Sequence, residues 1–357
     1  MRNLTVWLIA AGCTCPYAEA SAILWNSPGA NPVILAPYTT SSFYYSGAQA
    51  ISNGGAIVGA VDALALEWSA SLPNAPVLIA TDGAIGDSVA DAVNNSGDAT
   101  GVVRNGAGFA AFFWSASTGL LLLPGTSQGV GINDSGEVVG VTPGGVESFL
   151  WTSSTGVVDI GTFTATGIND AGEVVGNSSG PDGAMSWTQS GGIVALARLS
   201  PGDITRAVAI NNLGWIAGTD YNLATGVSNG VLWTSPSTVL ILATNFSPTA
   251  LDDDGQVVGS SGGYGAAIWT SANGVQPLSL NGLGITEGLS AAYGINDSGQ
   301  IVGAVRTTPE LETITLSCVG LTVLLLAKTV VAPQGTSAMI TGATDKSVAD
   351  LVVDSLP

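Results

Sequence analysis

Ile168-Asn169-Asp170-Ala171-Gly172-Glu173-Val174-Val175-Gly176 decides the fold. An aliphatic residue ends one extended run, Asn-Asp-Ala-Gly has turn composition, and Val174-Val175 resumes a β-branched run. Asp170 is expected to bond its own backbone, and Gly172 to supply the positive φ that reverses the chain. A second hairpin precedes it. Phe149-Leu150-Trp151 reads as a strand, Thr152 to Gly156 as a turn, and Val157-Val158-Asp159-Ile160 as a further strand closed by Gly161.

The same string recurs from Ile51, Val93, Ile132, Ile168, Ile210, Leu251 and Ile295, at spacings of 42, 39, 36, 42, 41 and 44 residues. That period accommodates four short strands and is propeller-blade length. A four-stranded sheet with two apolar faces cannot bury both alone, so neighbours must stack on it. One Trp recurs per repeat: Trp25, Trp68, Trp114, Trp151, Trp187, Trp233 and Trp269. The fold class is therefore all-β, a seven-bladed propeller spanning 21–306. The seventh hairpin is followed by no Trp strand, whereas Ala22-Ile23-Leu24-Trp25 and Pro32-Val33-Ile34-Leu35 have no hairpin before them. The N-terminal strands are expected to complete the last blade, leaving no open ring.

These residues also resemble a known family. Glu147-Ser148-Phe149-Leu150-Trp151, Gly156 to Thr162 and Gly167 to Gly176 are similar to the HAF repeat of extracellular bacterial proteins. Glu147-Ser148-Phe149 stands where that repeat has His-Ala-Phe. The resemblance covers about residues 22–306 and implies secretion and a propeller-like fold, without implying an activity.

The termini read as addressing segments. Met1 to Ala20 has Arg2, an apolar stretch from Leu4 to Gly12 and the small-residue ending Ala18-Glu19-Ala20, the layout of a signal peptide cleaved before Ser21. An alternative reading makes Ala10-Ala11-Gly12-Cys13 a lipobox with Cys13 lipidated. Toward the other end, Ile314 to Val331 is an apolar run with Lys328 as its only charge, preceded by Pro309-Glu310. Residues 307–331 resemble a PEP-CTERM sorting signal of Gram-negative bacteria, which implies a transmembrane helix; a packed apolar strand or helix is the alternative. Residues 332–357 form a tail with no readable structure.

Composition removes several function classes. With 26 acidic and 7 basic residues the formal charge is −19, so nucleic acid and anionic headgroups are repelled, and membrane contact is expected only through the terminal segments. The chain has no histidine, the commonest general base and transition-metal ligand. Its three cysteines, Cys13, Cys15 and Cys318, fall in the terminal segments, so the body has no disulfide and no thiolate metal site.

The turn residues Asp134, Asp170 and Asp297 are read as turn formers rather than metal ligands, because Gly54, Asn95 or Asn212 is read at the same place without a charge. No cofactor is expected. Calcium is the alternative, at Asp252 and Asp254 of the run Asp252-Asp253-Asp254-Gly255. The Trp series is assigned to blade packing rather than to a sugar-stacking ladder. Residues that break the repeat are the better ligand candidates: Tyr38, Phe43, Tyr44, Tyr45, Trp215, Tyr221 and Tyr264. No catalytic residue stands out.

The expected function is that of a secreted or surface-displayed binding module, monomeric and non-enzymatic, whose partner is an extracellular glycan or an envelope protein. The alternatives are a carbohydrate-active propeller with two carboxyl groups about 5–10 Å apart, and a purely structural matrix protein.

Overall fold

The computed structural model describes residues 20–35, 46–79, 87–106, 108–178, 180, 183–262, 265–283, 288–307, 314–318 and 321–325. Residues up to 308 and from 309 onward form two separate units. The first is a ring of seven four-stranded antiparallel blades. Blade 1 opens with Ser46–Ile51, blade 2 with Ser88–Val93, blade 3 with Gln128–Ile132, blade 4 with Thr164–Ile168, blade 5 with Ile204–Ile210, blade 6 with Phe246–Leu251 and blade 7 with Gly288–Ile295. Each of these is the innermost strand, and the next three run outward in chain order within blades 1 to 6.

Blade 7 is assembled from both ends of the body. Outward from Gly288–Ile295 come Ile301–Thr307, then Ala20–Trp25, then Val33–Ile34. Trp25 pairs with Ile301, Leu24 with Val302 and Ile23 with Gly303, as the count of hairpins and Trp strands requires. Ala20 is itself in the strand: it pairs with Arg306, and its carbonyl accepts the Ser46 hydroxyl at 2.8 Å. The ring body thus spans 20–307, one residue more at each end than the sequence indicated.

Two glycines per repeat make the blade geometry possible. Gly172 closes the turn at φ +76°, where a β-branched residue is strained. Gly176, on the second strand, has no room for a side chain: a Cβ there would lie 2.3 Å from the carbonyl of Thr164 on the innermost strand. Each innermost strand carries a bulge at this crossing, for example between Ala165 and Gly167.

The cores lie between blades. Trp25, Trp68 and Trp233 are fully buried and Trp114 and Trp151 nearly so, while Trp187 and Trp269 are half-buried at the blade interfaces. Phe113 of blade 2 meets Trp151 of blade 3 with ring centroids 5.1 Å apart. Buried indole N–H groups find carbonyls: Trp25 Nε1 donates to Ser279 O and Trp233 Nε1 to Ala197 O, both at 2.7 Å.

In the second unit, Ile314–Cys318 and Leu321–Leu325 pair as an antiparallel hairpin. This corrects the helix expected over Ile314 to Val331. The sequence explains it: Ile314, Thr315, Thr322 and Val323 favour extended backbone, and Gly320 breaks the run. Among the described residues no helix is long and apolar enough to cross a membrane. The residues before Ala20, where a signal peptide was expected, and the tail 332–357 lie outside the described residues.

Candidate functional site

The seven motif turns converge on one mouth of the central channel, enclosing a cavity of about 200 Å³. Its wall has three layers. An aliphatic layer is formed by the residues that begin each motif, such as Ile132 and Ile168. The two layers that follow are hydrogen-bonded rings.

The first ring is buried. Asn94, Asn133, Asn169, Asn211 and Asn296 are each 3–5% exposed. In every one, Oδ1 accepts two N–H groups of its own turn; Asn169, for example, takes those of Ala171 and Glu173 at 3.1 and 2.9 Å. The Nδ2 group donates to the carbonyl of the equivalent residue one blade on: Asn94 to Asn133, Asn133 to Asn169, Asn169 to Asn211, Asn211 to Asp252 and Asn296 to Ser52. One side chain thereby shapes a turn and ties two blades.

The second ring closes completely. The backbone N–H groups of Asn53, Asn95, Asp134, Asp170, Asn212, Asp253 and Asp297 each donate to Oδ1 of the next member, and Asp297 donates back to Asn53, at 2.8–3.0 Å. Asn and Asp are interchangeable here because only Oδ1 is needed. This revises the expected roles: Asn169, not Asp170, bonds its own turn, and Asp170 reaches back to blade 3. In blade 1 the ring member is Asn53, not Gly54.

Blade 6 inverts the polarity of the buried ring. Asp252 takes the Asn position and has no N–H to send to Asn296; its Oδ1 and Oδ2 accept the backbone and side-chain N–H groups of Gln256 at 2.7 and 2.9 Å. In blades 3 and 7 the partner four residues on is an acceptor: Asn133 donates to Glu137 and Asn296 to Gln300. Burial foremost, then the nearby Asp254 and Asp297, pushes the Asp252 carboxyl up to about 6. Both carboxylate oxygens of the calcium candidate are thus engaged by Gln256. Among the described residues no group of three or more His, Cys, Asp or Glu side chains could hold a metal ion.

Trp215, expected as an exposed recognition residue, is half-buried and packs on the blade 5 and 6 core; a Cβ on Gly255 would lie 2.7 Å from its ring. It occupies the place where four other repeats have Glu or Gln, and shields the next turn. Tyr221 is 40% exposed, near the end of the second strand of blade 5. Tyr38, Phe43, Tyr44, Tyr45 and Tyr264 lie outside the described residues. Trp215 and Tyr221 are thus the aromatic candidates that fall among the described residues.

Away from the mouth, the innermost strands carry polar side chains. Asp91 sits at the bulge of blade 2 and accepts Gln128 Nε2 of blade 3 at 2.8 Å. Burial raises its carboxyl to about 6, against the lowering effect of that bond. On blade 5, Arg206 is exposed between buried Thr205 and Ala207. Asp203 and Asp220, missed in the sequence, are 4% and 0% exposed on one face of that blade. Asn222 Nδ2 donates to Asp203 and the Leu199 N–H to Asp220 Oδ2. Asp220 Oδ1 has no hydrogen-bond partner. Burial first, with the nearby Asp203 carboxyl adding to it, raises the Asp220 pKa.

No family model and no curated protein matches this chain. Among solved structures, it is similar to a streptogramin B lyase, with 11% identity over 80% of this chain and 98% of that one, at a TM-score of 0.51. A selenomethionine-substituted virginiamycin B lyase from Staphylococcus aureus aligns at 11% identity over 80% of this chain and 99% of that one, TM-score 0.45. At such identity the likeness is one of fold.

Proposed function

We propose that this protein is a secreted or cell-surface binding propeller of a Gram-negative bacterium, and that its ligand meets the face opposite the motif turns. The carrying observation is a contrast between the two faces. On the turn face, four or five residues link the first two strands of every blade, and their Asx side chains hold the next blade. On the opposite face, the links from one blade to the next range from one residue, Asn245, to the eleven of 35–45. Length varies where closure makes no demand, and that is where recognition loops are placed on a rigid scaffold. Tyr38, Phe43, Tyr44 and Tyr45 belong to the longest of those links. The Met1 to Ala20 leader and the PEP-CTERM-like segment support export.

The partner we favour is an extracellular glycan, because aromatic side chains stack on sugar rings while a charge of −19 disfavours polyanions. A glycan array probed with the full chain, with Tyr38→Ala/Tyr44→Ala and with Asp170→Asn tests this. Binding lost in the double variant and retained in Asp170→Asn is expected; the converse, or no binding to any glycan, overturns it.

Asp91 favours a second reading, glycoside cleavage, since a carboxyl raised to about 6 suits a general acid. Asp203 and Asp220 do not supply that chemistry: both are buried, at 4% and 0% exposure, whereas glycosidase carboxyls face a substrate between them. Release of reducing sugar by the chain, abolished in Asp91→Asn, would favour the enzyme.

A further inference from the structure

The outermost strand of each blade presents unpaired backbone groups to solvent, and native proteins usually blunt such edges. Five of the seven here are blunted. Leu72–Leu78 contains Pro73 and Pro76, Gly156–Gly161 carries the exposed Asp159, Gly192–Ala195 is four residues long, Gly274–Pro277 is as short and ends in proline, and Val33–Ile34 has two residues. Gly119–Leu123 of blade 2 and Thr238–Thr244 of blade 5 have neither proline nor charge. The blade 5 strand is the longer and exposes adjacent aliphatic residues, Leu240 at 48% and Ile241 at 57%. Its register slips at Leu242 and opposite Thr238 and Val239, on either side of them.

We propose that Thr238–Thr244 is an association edge, to which a second copy of this chain adds its own Thr238–Thr244 antiparallel. The strand, Thr-Val-Leu-Ile-Leu-Ala-Thr, reads nearly alike in both directions. Meeting itself around Leu240 and Ile241 therefore sets aliphatic against aliphatic and no charge against charge. Two chains of charge −19 repel wherever acidic surface meets acidic surface, and a neutral edge is where they approach at least cost. A cationic peptide would be drawn to the acidic surface instead. Main-chain bonds across the edges set the orientation, and Leu240 and Ile241 exclude water from them.

Sedimentation equilibrium of the full chain should show its mass rising with concentration from 35.4 kDa toward twice that value. Ile241→Lys and Ile241→Glu each place like charges across the two-fold axis, and each should weaken association roughly ten-fold or more. Both should keep the wild-type circular dichroism, since residue 241 is exposed. Mixed in equal amounts, they should restore the dimer. A wild-type chain that stays at 35.4 kDa at about 100 µM, which is far above a micromolar Kd, overturns the proposal. So does a mixture of two folded variants that stays monomeric. Association that survives Ile241→Lys but is lost on removing residues 309–357 would overturn it in favour of the C-terminal hairpin as the contact.

Discussion

Replacing Trp25 with alanine tests whether the ring is closed by its N-terminal strand. The side chain is 0% exposed and packs with Ile301, Ala292, Ile268 and Leu278, so it joins the two ends of the body to blade 6. Truncating a fully buried Trp costs about 3–5 kcal/mol. The lost Nε1 bond leaves the Ser279 carbonyl without its partner and adds about 1 kcal/mol. Set against a typical total of roughly 5–15 kcal/mol, that is a large part of the stability. Trp187→Ala is the internal control: the same chemistry, half-buried, in the middle of a continuous blade, with an expected loss of about 2 kcal/mol. Urea unfolding followed by far-ultraviolet circular dichroism compares the two midpoints. If Trp25→Ala loses no more than Trp187→Ala, the strand Ala20–Trp25 does not hold the ring shut and the reasoning fails.

The turn chemistry makes sharper, smaller predictions. Asp170→Asn should be neutral within about 0.5 kcal/mol, because Asn212 and Asn95 already do the same work through Oδ1; Gly172→Val should cost about 2 kcal/mol from positive φ, measured by the same unfolding. Asp252→Asn supplies the N–H that blade 6 lacks. Because the folded-state pKa of Asp252 is raised to about 6, its stabilising contribution is complete below about 4 and is lost as pH rises through 6. The Asn variant should therefore be the more stable at pH 8, with the advantage fading by pH 4 in melts across that range. Asp220 obeys the same sign: the stability carried by its protonated form is present at low pH and is lost as pH rises through its raised pKa. Asp220→Asn, which stays neutral at every pH, should flatten that dependence, and an unchanged profile would show that Asp220 does not carry it.

The architecture was legible because it is written seven times. Period, turn glycines and Trp phase each constrain the same blade, and the leftover half-blade at each end forced the closure that places Trp25 against Ile301. The rings at the channel mouth were only partly legible. A turn can be read from neighbours in sequence, but the bonds from Asn169 to Asn211 and from Asp134 to Asp170 span 42 and 36 residues. The available signal was the Asn that fills the second motif position in five of the seven repeats, which turn formation alone does not require. Asp203 and Asp220 escaped notice because register, not spacing, puts them on one face. The apolar run from Ile314 was left between a membrane helix and a packed strand or helix because length and hydropathy do not separate them; the β-branched residues favour the strand.

The two faces of the ring divide the demands on the sequence. On the turn face, an Asn or Asp that fails its role loosens two blades at once, so the only freedom left is exchange within one polarity rule: a donor at Asn133 against the acceptor Glu137, or an acceptor at Asp252 against the donor Gln256. Blade 6 keeps the pair while reversing it, and the cost is a buried carboxyl facing Asp254 and Asp297 with no N–H for Asn296. That such a reversal occurs at one blade, while the outer ring closes around all seven, shows which ring closure depends on. The outer ring needs only an oxygen from each side chain and tolerates four carboxylates among its members; the inner ring needs a nitrogen as well, and does without one at Ser52 and Asp252. Closure therefore rests on the backbone N–H to Oδ1 circuit, and the inner amides add rigidity turn by turn.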